Sequence, residues 1–420
     1  MKLRTVLLFS LCAALFSLTA YPADWPQWRG PQRSGVSSET GLLQEWPKEG
    51  PRLVWQVKDI GDGYSTPSVA GNRIYLLSNR GLDNEFVQAL SVADGKQVWA
   101  ARLGKVGNPD QMPSFPTARS TPTLDGDLVY ALGSDGGLAC LEAATGKIRW
   151  QKSLRADFGG RPGQWAYSES PLVDGDTLVV TPGGAEATIV ALNKKTGETI
   201  WKSAVPGGDD AAYASVNVIE AAGRRQYMQF LAKGLVGVDA RTGQFLWRYD
   251  ATGKGQTNIP SPVAGNGYIY TAQGRGAGGL IHLAAAGQGV AAEQVYFQRG
   301  LPNTNGGSVL IGTTHYGTAD GGLVAADWLT GKVLWQDAGM GGGATLAAGG
   351  RLYIHSENGE VILADASPEA YHERGRFMPP DRPKRTRAAM EKAWAYPVVA
   401  NGRLYIRELD SLWCYDVAAR

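Results

Sequence analysis

Apolar residues along this chain come in short runs, alternating with polar residues or rich in β-branched ones, and glycine-centred turns break the runs. The stretch from Ser120 shows the pattern: Thr123-Leu124-Asp125, the turn Asp125-Gly126, then Leu128 to Leu132, Gly136-Gly137, Leu138 to Glu142, the turn Thr145-Gly146, and Lys147 to Trp150. A side-chain period of two between two-residue turn signals is how consecutive β-hairpins are written. The unit therefore predicts a four-stranded antiparallel meander. No segment sustains a helical period.

The unit recurs. Thr145-Gly146-Lys147-Ile148-Arg149-Trp150 is echoed by phrases ending at Trp201, Trp247 and Trp335, and by Asp94-Gly95-Lys96-Gln97-Val98-Trp99. Trp99, Trp150, Trp201 and Trp247 follow one another at intervals of 51, 51 and 46 residues. Self-similarity at such a period signals a stacked or radial repeat architecture. Openings such as Thr66-Pro67, Ser170-Pro171, Ser261-Pro262 and Tyr396-Pro397 mark inner strands, because proline is tolerated where a strand begins. Openings near residues 66, 121, 170, 215, 261, 308, 345 and 397 give eight units. The unit from Pro260 ends in Tyr296-Phe297 instead of tryptophan, and the one from Ala344 ends near Phe377. The last unit lacks an outer strand after Val417, and residues 51–57 read as that strand, supplied from the other end of the chain. The expected fold is all-β: an eight-bladed propeller of four-stranded blades over residues 51–420, preceded by an aromatic extension over 21–50. Closure of this kind removes free sheet edges. Trp55, Trp99, Trp150, Trp201, Trp247 and Trp335 are expected to pack between adjacent blades.

Composition narrows the setting more than the chemistry. The 41 basic and 39 acidic residues leave a net charge of +2, which gives no electrostatic case for a nucleic-acid partner. Lys2 and Arg4, an apolar run from Val6 to Leu18 and small residues ending at Ala20 read as a secretory signal over residues 1–20. That run is shorter than the roughly 20 residues of a membrane span, so an exported, periplasmic or extracellular monomer without a transmembrane segment is expected. Cys140 and Cys414 occupy equivalent places in different repeats and are expected to be free, buried thiols.

The phrase Val238-Asp239-Ala240-Arg241-Thr242-Gly243-Gln244-Phe245-Leu246-Trp247 resembles the tryptophan-docking motif of pyrroloquinoline-quinone (PQQ)-type β-propellers. Together with Asp24 to Pro31, Trp165 to Pro171 and Leu412 to Asp416, it resembles a secreted bacterial subgroup of PQQ-binding-like, WD40-like repeat proteins. Two branches of that superfamily frame the function. Quinoprotein alcohol dehydrogenases hold PQQ with a calcium ion, an adjacent cysteine pair and a catalytic aspartate; this chain has no adjacent cysteines and no C-x-x-C-H haem site. BamB-type assembly scaffolds share the propeller without the cofactor. The resemblance thus implies a non-catalytic binding or assembly scaffold with no cofactor, acting on a protein partner or small molecule. The alternative is a PQQ- and calcium-dependent alcohol oxidoreductase with a diverged site.

A propeller's usual ligand site is the mouth of its channel. Residues that precede or begin inner strands are the candidates: Arg119, Gln164, Trp165, Tyr167, Glu169, Asn258, Asn303, Asn305 and Tyr396. No catalytic residue is named by any motif. The four histidines, His282, His315, His355 and His372, show no metal-ligand spacing, so no metal site is expected. The glycine clusters Gly274 to Gly279 and Gly341 to Gly343 read as wide turns, and the basic stretch 379–387 as a solvated loop. Trp25, Pro26, Trp28 and Arg29 are expected to fold across one face of the ring, with Arg29 paired to a blade-loop carboxylate.

Overall fold

The computed structural model describes residues 23–108, 117–253, 255, 258–287, 289–384 and 392–419. The expected signal segment lies outside them, as does part of the basic stretch. Among these residues are eight four-stranded antiparallel sheets and one short helix, Leu154–Phe158. Seven sheets are sequential meanders: blade 1 over residues 68–104, blade 2 over 123–153, blade 3 over 172–203, blade 4 over 217–249, blade 5 over 263–298, blade 6 over 308–337 and blade 7 over 343–377. Blade 8 joins Val398–Ala400, Arg403–Glu408 and Ser411–Asp416 to the N-terminal strand Arg52–Val57, which pairs Arg52 with Asp416 and Val57 with Leu412. The ring is closed by the start of the chain. None of its helices is long and apolar enough to cross a membrane among the described residues.

The repeated phrase is a joint between neighbouring blades. Asp239 and Asp327 accept hydrogen bonds from the backbone N–H and hydroxyl of Thr242 and Thr330, which pins the turn. The following glycine is left-handed, with φ of +73° at Gly146 and +75° at Gly197. An indole from the preceding blade lies on it so closely that a Cβ on Gly146 would fall 2.5 Å from the Trp99 ring. Glycine meets both the steric and the conformational demand. The indole N–H then donates to a carbonyl of the same turn: Trp55 to Val92, Trp99 to Ala143, Trp150 to Lys194, and Trp201 to Ala240. Trp335 reaches Ser367 O in the same way.

The three remaining joints differ. Trp247 is buried and donates to Gln226 of its own blade, because blade 5 offers no Thr-Gly turn. Tyr296 takes the tryptophan position of blade 5, opposite Leu280, and its hydroxyl donates to Trp328 O beside Gly331. In blade 7 the equivalent position is Gly375, opposite Leu363. Trp46, from the N-terminal extension, fills the gap: its backbone N–H donates to Arg374 O, and a Cβ on Gly375 would fall 2.7 Å from Trp46 Cβ. Its indole packs edge-on against Tyr353 and Phe377 of that blade. A single indole from outside the repeats thus completes the seventh blade.

Residues 24–39 close the channel floor and meet every blade. Trp25 and Val69 exchange backbone hydrogen bonds in blade 1, Leu124 N–H donates to Pro26 O in blade 2, and Ala347 and Ser37 pair in blade 7. Arg33 donates to the carbonyls of Ser170 and Pro171 in blade 3, and Asn217 Nδ2 of blade 4 reaches Arg33 O. Trp28 Nε1 donates to Ser261 Oγ ahead of blade 5, and Glu39 accepts from Asn401 and Gly402 of blade 8. Arg29 donates to Ser308 O in blade 6 and to Ser34 O within the plug. Its expected carboxylate partner is corrected here: Arg29 is held by carbonyl oxygens and lies over the Tyr396 ring. Burial lowers the pKa of both guanidiniums, and that of Arg33 falls to about 9. Cys140 and Cys414 are free and buried, and burial raises their thiol pKa values to about 11 and about 12.

Candidate functional site

The opening of each inner strand builds both a joint and a wall. A hydroxyl at the opening position accepts an N–H from the blade before it: Ser170 Oγ from Thr121 N, Ser215 Oγ from Ser170 N, and Thr66 Oγ1 from Tyr396 N. Strand periodicity turns the residue two places earlier toward the same axis. Tyr64, Arg119, Ser168, Tyr213, Ile259 and Trp394 stand at that place and all line one cavity of about 260 Å³ at the channel mouth. Thr66, Trp165, Ser170, Ser215, Asn305 and Tyr396 complete its wall, and Trp28 of the plug joins them.

Six aromatic rings meet there as three pairs: Trp28 with Tyr396 at 4.5 Å, Tyr64 with Trp394 at 4.9 Å, and Trp165 with Tyr213 at 5.3 Å between centroids. Hydrogen bonds fix the rings. The Tyr213 hydroxyl accepts from Trp165 N, and the Tyr396 hydroxyl donates to Asn305 O. Arg119 is the one cation among the described lining residues, and it donates to Trp165 O and Thr117 O.

Of the nine residues named from sequence, Arg119, Trp165, Asn305 and Tyr396 line this cavity. The other five lie elsewhere. Tyr167 is buried between blades 2 and 3 with its hydroxyl on Pro182 O. Glu169 accepts from Thr181 N and Gln229 Nε2, and Asn258 Nδ2 donates to the carbonyls of Leu231 and Ala232. Asn303 Nδ2 donates to Gly276 O, and the Gln164 carbonyl accepts from Asn108. Sequence reasoning missed Trp28, Tyr64, Thr66, Ser168, Ser170, Tyr213, Ser215, Ile259 and Trp394. The spacing of two before each opening residue, five of them Ser or Thr and the sixth Tyr396, was the signal that could have found six lining positions.

Two acids are buried near this ring of loops. Glu85 Oε2 accepts from Ser134 N at 2.8 Å and Ser134 Oγ at 2.5 Å, and Glu169 is held as above. Burial pushes each carboxyl up from 4.5 to about 7. Between those pH values the folded chain keeps a proton that the unfolded chain releases. Stability is therefore lost as pH rises from about 4.5, with the loss complete above the folded value. Glu85→Gln keeps an acceptor for Ser134 and removes that penalty. The variant is expected to melt higher than the parent at pH 8, by up to about 3 kcal/mol, and to show no gain near pH 4.5. Melting curves at the two pH values check it.

Among the described residues the lining contains no carboxylate. Calcium takes six to eight oxygen ligands, with carboxylates foremost, so the calcium-held quinone of the dehydrogenase branch does not fit this donor set. No group of three His, Cys, Asp or Glu suited to a metal exists among the described residues. His315 is buried against Tyr270, hydrogen-bonded to Ser308 Oγ, and driven by burial to a pKa of about 3.

Comparison with known proteins places this geometry. Residues 32–161 and 83–337 match the family model described as outer membrane protein assembly factor BamB, and together they take in more than half of the chain. A BamB of Shewanella oneidensis is 24% identical over 220 residues, covering 50% of this chain and 49% of that protein. The chain spans less than half the length of the first BamB relatives it matches in sequence. In structure, BamB from Moraxella catarrhalis superposes with a TM-score of 0.61 at 17% identity, over 87% of this chain and 99% of that one. Quinohemoprotein alcohol dehydrogenase from Comamonas testosteroni gives 0.53 at 15% identity, over 94% and 80%. At such identities the structures speak to the fold alone. On the strength of the sequence match across its blades, the chain belongs to the PQQ-like β-propeller family described as outer membrane protein assembly factor BamB.

Proposed function

We propose that this chain is an exported, non-catalytic scaffold that takes part in outer-membrane protein assembly by holding a protein partner at the channel mouth. The observation that carries the reading is the character of the cavity. Among the described residues its wall is aromatic, with one guanidinium, several hydroxyls and no carboxylate, and the chain's own Trp28 helps to close it. Rigid rings fixed by hydrogen bonds give contact area at little entropic cost. Proton transfer or nucleophilic attack needs a base within reach, and the nearby acids, Glu85 and Glu169, are tied to Ser134, Thr181 and Gln229 instead. The name of the BamB relatives supplies the process.

Removing the gene from the parent bacterium is expected to lower the amount of β-barrel proteins in its outer membrane, with recovery when the gene is restored. Unchanged levels would overturn the assembly role. Purified protein incubated with PQQ and calcium is expected to leave a redox dye unreduced in the presence of alcohols; dye reduction would favour the oxidoreductase instead.

A further inference from the structure

We propose that the channel-mouth cavity is a carbohydrate site with room for one pyranose ring. The inference goes beyond the assembly reading, and both can hold, because a stable protein partner needs an interface of about 1,200 Å² or more, far more than one ring fills. Size comes first. An apolar cavity of about 150 Å³ holds a benzene molecule, so the cavity of about 260 Å³ takes one six-membered ring with the substituents around it. A pyranose has two unlike surfaces: C–H bonds make its faces apolar, and hydroxyls make its rim polar. Three aromatic pairs stand around the opening, and the electron-rich face of an aromatic ring attracts the C–H side of such a guest. This wall already receives a ring from outside the blades, since Trp28 of the plug enters it edge-on to Tyr396.

The counterpart to the polar rim lies at the openings of the inner strands. Thr66, Ser170 and Ser215 line the cavity, and the oxygen of each accepts a backbone N–H from the blade before it. A hydroxyl carries one donor besides its acceptor sites, so among the described residues the O–H of each is left to donate to a guest. Asn305 meets Tyr396 through its backbone oxygen, and its carboxamide adds a further donor and an acceptor at the wall. Polar groups set around aromatic faces match a ring that carries several hydroxyls. A guest without hydroxyls would leave them unpaired, at a cost in affinity. The sugar can be free or can end a longer glycan; the chemistry at the wall is the same.

Titration of the full-length mature protein with glucose, galactose, mannose and N-acetylglucosamine, followed by calorimetry and tryptophan fluorescence, tests the proposal. At least one is expected to saturate a single site with a Kd of about 1 mM or below. Sorbitol, which has the hydroxyls on a flexible chain instead of a ring, is expected to bind at least about tenfold more weakly than that sugar. Asn305→Ala is expected to weaken the preferred sugar about fivefold, and Trp165→Ala about tenfold. The Asn305 carboxamide bonds to no other described residue, so its alanine variant covers the case in which the tryptophan variant does not fold. A disaccharide ending in the preferred sugar that binds more tightly than the sugar alone identifies a glycan end as the source; equal or weaker binding identifies the free sugar. No saturable binding of any of the four, or binding that Asn305→Ala and Trp165→Ala both leave unchanged, would overturn the proposal. Either result would leave the gene-removal test of the assembly role untouched.

Discussion

A chain that begins at residue 58 is expected to lose its single cooperative melting transition and to self-associate. Four supports leave together. Ser411–Asp416 becomes an edge strand, because Arg52–Val57 was its partner, and exposed edges invite pairing between molecules. The indole of Trp55 no longer spans to Val92 of blade 1, and Trp46 no longer covers Gly375. The channel floor also loses Trp25, Arg29 and Arg33, all buried. Removal of a buried tryptophan side chain alone costs about 3 to 5 kcal/mol, against the roughly 5 to 15 kcal/mol that separates folded from unfolded states. Calorimetry with size-exclusion chromatography is the check. A monomeric truncated chain that melts as sharply as the parent would show that the ring closes without its first strand.

Trp46→Ala is expected to destabilise the protein by about 3 to 5 kcal/mol, as much as Trp150→Ala, although Trp46 belongs to no repeat phrase. It is 5% exposed, lies on the glycine that replaces the blade 7 tryptophan, and joins the cluster of Tyr353, Phe377 and Tyr415 between blades 7 and 8. Left-handed Gly375, with φ of +145°, cannot take a large side chain to refill the space without strain. Urea denaturation of the two alanine variants measures the comparison. A midpoint for Trp46→Ala equal to that of the parent would mean that the indole is dispensable.

The repeats were legible because their chemistry is local. A turn of Asp, Thr and Gly followed by Trp states its own geometry, so blade number, strand order and the closing strand over residues 51–57 could be read before any contact was known. The plug was legible only as a segment folding back. Its partners are set by contacts more than a hundred residues apart, such as Arg33 with Ser170, and sequence has no means of choosing carbonyl oxygens over a carboxylate for Arg29. Glu169 and Asn258 looked like ligands because polar residues near inner strands were read as facing the channel. Strand alternation instead turns Glu169 into the joint between blades 3 and 4, while its neighbours Ser168 and Ser170 face the cavity. Trp46 was invisible because the signal for it is a missing tryptophan 329 residues later, at Gly375.

Amide hydrogen exchange over residues 24–57 tests most directly whether the beginning of the chain is part of the ring. The N–H groups of Trp25, Ser37, Leu43 and Trp46 donate to Val69, Ala347, Val417 and Arg374, four carbonyls on blades 1, 7 and 8. They are expected to exchange as slowly as the inner strands, at the rate of global opening. Exchange of these four amides as fast as in a free peptide, with the blades still protected, would contradict the account.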